Sequence, residues 1–390
     1  MMKRVRLGII GVGGMGSFHA RAFRERKIRR CDLVAVCDID PGALEKFDDT
    51  VQKFVNSAEL IRSGACNAVL VATPHYGHTI IGADALEQGL HVLVEKPISV
   101  HKADCERLIA AHKRKSQVFA AMFNQRTDPH YKKVKLLIDS GKLGALVRVS
   151  WIVTSWFRTD AYYASGGWRA TWAGEGGGVL LNQSPHQLDL LQWLCGMPRK
   201  VCGFCAFGRR HKIEVEDEVT AYLEYPNGAT GVFITSTGEA PGTNRLEIAG
   251  DLGRVVVERD RILFTRNKVS ASKFCRTSDA PFASPDVSTV EVKANGTGGQ
   301  HVEVLQNFVD AILDDVPLIA PARDGSRSVE IANAILYSSL LGRTVDLPLD
   351  GRAFELELKK LVAKSGKKRL ARRRSPATQD VAVAFRGTQK

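Results

Sequence analysis

Apolar and polar positions divide the chain into two unlike stretches. Short β-rich runs at residues 5–10, 33–37, 67–72, 91–94 and 118–121 alternate with helical patterns at 17–26, 41–47, 78–88 and 102–114. Asp40 before Pro41 reads as an N-cap with proline in the first helical turn. Gly89 closes the 78–88 pattern. Strand and helix in strict alternation predict a parallel sheet covered on both faces.

The pattern changes after Phe123. A helix is expected at 131–140, ending at Gly141, then an alternating strand at 147–155. A glycine- and tryptophan-rich stretch covers 165–178, and one apolar helix is expected over 178–194. Runs at 201–207, 218–225, 229–236, 244–250 and 253–259 read as antiparallel strands. Pro226-Asn227-Gly228 is a hairpin signal between two of them, and Asp251-Leu252-Gly253 a second turn. Residues 265–298 are polar and read as a loop, followed by helices at 300–313 and 326–340 that can pack back on either part. The expected architecture is α/β: a doubly wound parallel sheet in 1–125, an α+β unit with an open, mostly antiparallel sheet in 126–363, and a basic tail in 364–390.

Composition changes this picture little, and charge changes it in one place. The formal charge is +13 over 390 residues, but residues 359–390 hold eleven Lys/Arg and one acid, Asp380. The body is therefore near neutral and the excess reads as a solvated end, so nucleic acid is not an expected partner. No apolar run approaches the ~20 residues of a membrane span. The basic-then-apolar start leads straight into a glycine loop and reads as a strand, not a signal peptide. A cytoplasmic location is the default. The eight cysteines are scattered and expected reduced. Cys202-Gly203-Phe204-Cys205 lacks a second ligand pair and puts its sulfurs on opposite faces of a strand, so no metal is expected.

The chemistry lies in a few segments. Gly11-Val12-Gly13-Gly14-Met15-Gly16 is G-x-G-x-x-G between a strand and a helix. The first glycine allows the turn, the second the approach of a pyrophosphate, and the third close helix–strand packing. Free N–H groups at the helix start then face the phosphates. Asp38 ends the second strand, where a carboxylate takes the adenosine ribose and favours NAD over NADP. Thr73, Pro74 and His78 follow the next strand, and Glu95 and Lys96 another, so all reach the edge where ligands bind. A lysine beside the positive nicotinamide ring has a depressed pKa and can relay a proton. Asn182, His186 and Asp189 form a polar stripe on the expected apolar helix, which reads either as a substrate pocket in which His186 takes a hydroxyl proton or as an internal hydrogen-bond cluster.

The glycine loop, Glu95-Lys96-Pro97 and the segment from Gly176 to Asp189 resemble the Gfo/Idh/MocA oxidoreductases, over roughly residues 4–363. The resemblance implies a Rossmann domain, an α/β domain whose sheet makes homodimer or homotetramer contacts, tightly held NAD(P), and a sugar or cyclitol substrate. It places Lys96 and His186 at the catalytic positions. Many members have aspartate where this chain has Asn182, which here would orient substrate by hydrogen bonds. Asn124 and Gln125 would then border the cofactor. Arg126, Arg158, Trp168, Arg169 and Asp189 would line the substrate pocket, with the two arginines at 158 and 169 binding hydroxyls or an acidic substituent. Two rivals share these motifs: a redox-neutral glycoside hydrolase working through a transient ketone, and a non-catalytic NAD-binding sensor.

Overall fold

A computed structural model describes residues 3–365. The basic tail expected from residue 364 falls outside them, apart from Lys364 and Ser365. Strands β1 (Val5–Ile10), β2 (Cys31–Cys37), β3 (Gln52–Phe54), β4 (Ala68–Val71), β5 (His91–Val94) and β6 (Phe119–Ala121) form a six-stranded parallel sheet in the order β3-β2-β1-β4-β5-β6. The order reverses between β1 and β4, and in open sheets ligands bind beyond the carboxyl ends at such a point. Every residue of β4 is fully buried, as a strand covered on both faces must be.

The second sheet has nine strands: β7 (Leu146–Val153), β8 (Lys200–Phe207), β9 (Glu216–Glu224), β10 (Thr230–Ser236), β11 (Asn244–Gly250), β12 (Gly253–Glu258), β13 (Arg261–Asn267), β14 (Val287–Val292) and β15 (Val345–Asp346). Their order is β14-β13-β12-β11-β7-β10-β9-β8-β15, antiparallel except where β7 meets β10. Val149, Trp151 and Val153 of β7 face inward to a core shared with Leu188 and Leu191 of the helix Pro185–Cys195 and Ile335 of the helix Ala322–Leu341. The other face is open, with Phe204 and Tyr222 exposed. The helix Gln300–Asp314 returns to the first sheet, where Val304, Leu305, Phe308 and Val309 pack with Val5, Leu7 and Ile9.

Several elements differ from expectation. The pattern at 41–47 is only a 3-10 turn, Pro41–Leu44, although Asp40 does cap it by accepting the Gly42 N–H. Residues 265–298 are not one loop: β13 and β14 pair there as a hairpin around the helix Ala271–Thr277. All but one residue of β14 is exposed, so the strand has no apolar alternation to read. The expected single helix over 178–194 is two, Val179–Asn182 and Pro185–Cys195. Pro185 has no N–H to continue the first helix and its ring disfavours helical geometry before it. Among the described residues no helix is long and apolar enough to cross a membrane.

Candidate active site

The glycine loop is built as a close-approach turn. Gly11 has φ +88°, and a Cβ there would lie 2.8 Å from the Ala72 backbone. A Cβ on Gly16 would lie 1.9 Å from the Gly11 carbonyl, so this glycine is the packing contact between turn and helix. Gly13 and Gly14 face open space, with nothing within 4 Å of a Cβ. The helix Gly14–Arg24 starts there with no side-chain cap, leaving its first N–H groups for a phosphate. Met15 follows, half-buried. Asp38 accepts the Val12 N–H at 2.8 Å and the Asp40 N–H at 3.0 Å, which fixes its carboxylate beside the loop. Lys46, not foreseen, reaches the Val12 carbonyl and Ser17 Oγ, both at 2.6 Å. Next along the edge, Thr73 Oγ1 is buried without a partner and Pro74 is exposed. An uncapped helix start and open glycines fit a dinucleotide.

Glu95 and Lys96 diverge from one strand end. Glu95 is buried and lies 2.6 Å from His19 Nε2, and its other oxygen accepts the Lys96 N–H. Burial alone would raise its pKa, but His19 and the nearby positive groups hold it down to about 2. Lys96 Nζ donates to the Asn182 carbonyl at 2.8 Å, linking the two sheets' segments across 86 positions. Its pKa is lowered, chiefly by burial, with Glu95 opposing and Arg169 assisting. His186 is buried, stands edge-on to Phe123 at 5.9 Å, and has no partner on either ring nitrogen. Burial first, then Lys96, keeps it well below the usual histidine pKa, so it is neutral at pH 7 and able to accept a proton.

Asn182 sits at the end of the short helix Val179–Asn182, so it does not share a stripe with His186. Its amide donates to Glu175, and its oxygen accepts from the Tyr162 hydroxyl at 3.3 Å. Tyr162 also accepts from Arg169 at 2.9 Å and from Gln183 at 3.1 Å. Glu175 and Tyr162 were not read from the sequence. Their partners include Asn182, seven and twenty positions away, which local periodicity does not link to them. Trp168 is half-buried and edge-on to His75 at 5.6 Å, whereas Trp172 belongs to the core. Burial pushes His75 down to about 3.

Three expected ligand-binding residues are occupied with other work. Arg126 and Asp189 form a fully buried bidentate pair at 2.7 and 2.6 Å, with Asp324 at 3.0 Å. They fasten three segments behind the site instead of facing a substrate. His78 is buried with its ring nitrogens 2.8 and 2.7 Å from the carbonyls of Pro97 and Thr73. Its ring lies between two loops, and as a neutral imidazole it donates to one of these two carbonyls. Asn124 and Gln125 do face a cavity of about 540 Å³, with Phe18, Trp156, Gln187 and His301 among its walls. Asn124 donates to Gln300 at 2.6 Å and keeps a buried oxygen without a partner, a ready acceptor for an amide. His301 comes from the returning helix and had no signal in the local sequence; burial holds it down to about 4. Among the described residues no group of His, Cys, Asp and Glu is placed to hold a metal ion.

Two family models match the chain. One, described as an oxidoreductase family with an NAD-binding Rossmann fold, covers residues 5–123. The other, the GFO/IDH/MocA C-terminal domain, covers residues 131–256. The chain is 30% identical over 196 residues to the rhizopine catabolism protein MocA of Rhizobium meliloti, covering 50% of this chain and 58% of that one. It is 33% identical over 269 residues to 1-carboxy-3-chloro-3,4-dihydroxycyclohexa-1,5-diene dehydrogenase of Comamonas testosteroni, covering 67% of this chain and 65% of that one. Among solved structures, the WlbA dehydrogenase of Bordetella pertussis in complex with NADH and UDP-GlcNAcA superposes with a TM-score of 0.73 at 25% identity, over 89% of this chain and all of that one.

Proposed function

Since the chain belongs to the Gfo/Idh/MocA family of NAD-binding oxidoreductases, we propose that it moves hydride between a sugar-like or cyclitol alcohol carbon and NAD, with His186 handling the hydroxyl proton and Lys96 assisting. The observation that carries this reading is His186 itself: a buried, neutral imidazole, both nitrogens unpartnered, within electrostatic reach of a lysine. A buried histidine with no structural bond is costly unless something else completes it.

Gly13, Gly14 and Asp38 would hold the diphosphate and ribose, and Asn124 the carboxamide. Asp38 sets a negative charge where a 2′-phosphate would come, which favours NAD over NADP. NAD, when bound, supplies the hydride acceptor or donor. The rest is done by the chain. His186 takes the proton from the alcohol oxygen during oxidation and returns it during reduction. Lys96, held at the Asn182 carbonyl, donates a hydrogen bond to the same oxygen and stabilises the negative charge that develops there. Asn182, fixed by Glu175 and Tyr162, orients substrate hydroxyls. Self-association through the open face of the second sheet belongs to the same reading, supported by exposed Phe204 and Tyr222.

The test is a panel of sugars, inositols, sugar acids and glycosides, with absorbance at 340 nm and product release followed together. Formation of NADH that disappears in Lys96→Ala and His186→Ala supports the dehydrogenase. Product release without net NADH would replace it with the redox-neutral hydrolase, and silence on both with NAD bound would favour the sensor.

A further inference from the structure

We propose that the alcohol accepted by this site carries a carboxylate, bound by Arg158 with Arg169 beside it, so that the substrate class is sugar acids or carboxylated cyclitols. The proposal rests on the dehydrogenase reading of the same pocket and narrows it.

The geometry starts with Arg158, just beyond β7. Its N–H donates to the Thr237 carbonyl at 2.9 Å, and its own carbonyl lies 2.9 Å from His211 Nε2, so its backbone is pinned on both sides. The guanidinium stands 5.5 Å from the Trp156 ring and 5.1 Å from the Tyr162 ring. Aromatic faces set its orientation and remove part of its water. One nitrogen donates to the Phe157 carbonyl at 3.0 Å, and Nε is buried without a partner. Among the described residues no carboxylate pairs with it. An arginine held this firmly, with donors left over, is arranged for an acceptor brought from outside.

Arg169 adds to the same field. It lies 4.7 Å from the rings of both Tyr162 and Trp168 and donates to the Tyr162 hydroxyl, the group that also holds Asn182. Both arginines are close enough to Lys96 to oppose its protonation. Three cations therefore gather around Tyr162 and Asn182. Two carboxylates face these three cations, Glu95 and Glu175, and both act on Lys96. Glu175 takes the Ala170 N–H at 2.6 Å and the Asn182 amide, and stands 4.0 Å from Arg169. Glu95 is turned to His19. The oxidised nicotinamide would bring a further positive charge to this place, while the cofactor's phosphates face the glycine loop. Partly desolvated like charges repel strongly, and an anion between them relieves it. Because the arginines are within reach of the lysine at the reacting oxygen, the anion belongs close to the reacting carbon. A carboxylate attached to the ring meets that requirement; an ester phosphate stands further off.

Calorimetry on the full chain loaded with NADH tests this, with glucuronate, galacturonate and quinate set against glucose, galactose and myo-inositol, and glucose 6-phosphate as the phosphate arm. We expect an acid to bind more tightly than its neutral partner. Arg158→Gln should shrink the acid-over-neutral preference by about tenfold to a hundredfold, as for a lost charge-assisted hydrogen bond, and Arg158→Lys should restore part of it. Equal binding of acid and neutral partners, an unchanged preference in Arg158→Gln, tighter binding of the phosphate, or no binding of any acid would each overturn the proposal. Turnover with NAD is measured in parallel. An acid that binds but is not oxidised leaves the carboxylate site standing and removes the dehydrogenase. A neutral polyol oxidised in a Lys96-dependent way does the reverse.

Discussion

Two groups of sequestered charge lie within this fold, and they are opposites. Around Arg126 every charge has a partner: Asp189 takes two N–H groups, and Asp324 and the Ile319 carbonyl share a third nitrogen. Around Lys96 three cations meet two carboxylates, and neither ring nitrogen of His186 beside them has a hydrogen-bond partner. Both groups contain arginines that motif position alone would assign to substrate. The difference is completion. A closed ion pair fixes the chain; an open one waits for a molecule.

The sharpest way to break this contrast is to remove the open group. Lys96→Ala and His186→Ala should each lower turnover by about 10²- to 10⁴-fold, while NADH binding and the thermal midpoint stay close to wild type. A large loss of stability in either would mean the group is structural after all. Arg126→Ala should do the opposite. Leaving Asp189 buried and unpaired costs about 3–5 kcal/mol, which urea unfolding would read directly. A variant of normal stability with a changed KM would put Arg126 back in the pocket.

The same contrast explains what the sequence could reveal. The glycine loop, Asp38 and Lys96 were legible because each follows its own strand, and the strand alone puts it at the ligand edge. Arg126 and Asp189 are 63 positions apart, and neither carries a mark that it will meet the other. Pro185 did announce the helix break, but the apolar run around it reads as continuous. Glu175, Tyr162 and His301 act through contacts that exist only once the segments are assembled.

A smaller effect tests the frame of the site. Gly16→Ala forces a Cβ onto the Gly11 carbonyl. It should cost about 1–3 kcal/mol and weaken NAD binding, measured by NADH fluorescence. Titration offers a further test. Glu216 is buried and accepts the Gly178 and Leu180 N–H groups, so it positions the short helix that carries Asn182. Burial pushes its pKa up to about 7 from 4.5. The folded protein then keeps a proton that the unfolded chain releases, so this contribution is complete below the unfolded pKa and is lost as pH rises through the folded one. Glu216→Gln should flatten the fall in urea midpoint between about pH 5 and about pH 8. His75 and His301, held neutral to about 3 and about 4, act with the other sign: their contribution is present above 6.5 and lost in acid. The smallest effect is expected for Arg158→Gln, which should move stability by under about 1 kcal/mol. A change as large as that of Arg126→Ala would erase the distinction between the two groups.

The returning helix Gln300–Asp314 has a consequence for how the protein is made. It covers one side of the first sheet, and the Ala320 carbonyl just beyond it accepts the Ala121 N–H of β6. A nascent chain that has emerged as far as β6 therefore lacks Val304, Leu305, Phe308 and Val309, and the part of that face over Leu7 and Ile9 that they cover is without its cover. That surface stays uncovered while nearly two hundred further residues are translated, and the part of the protein that begins first is among the last to be finished.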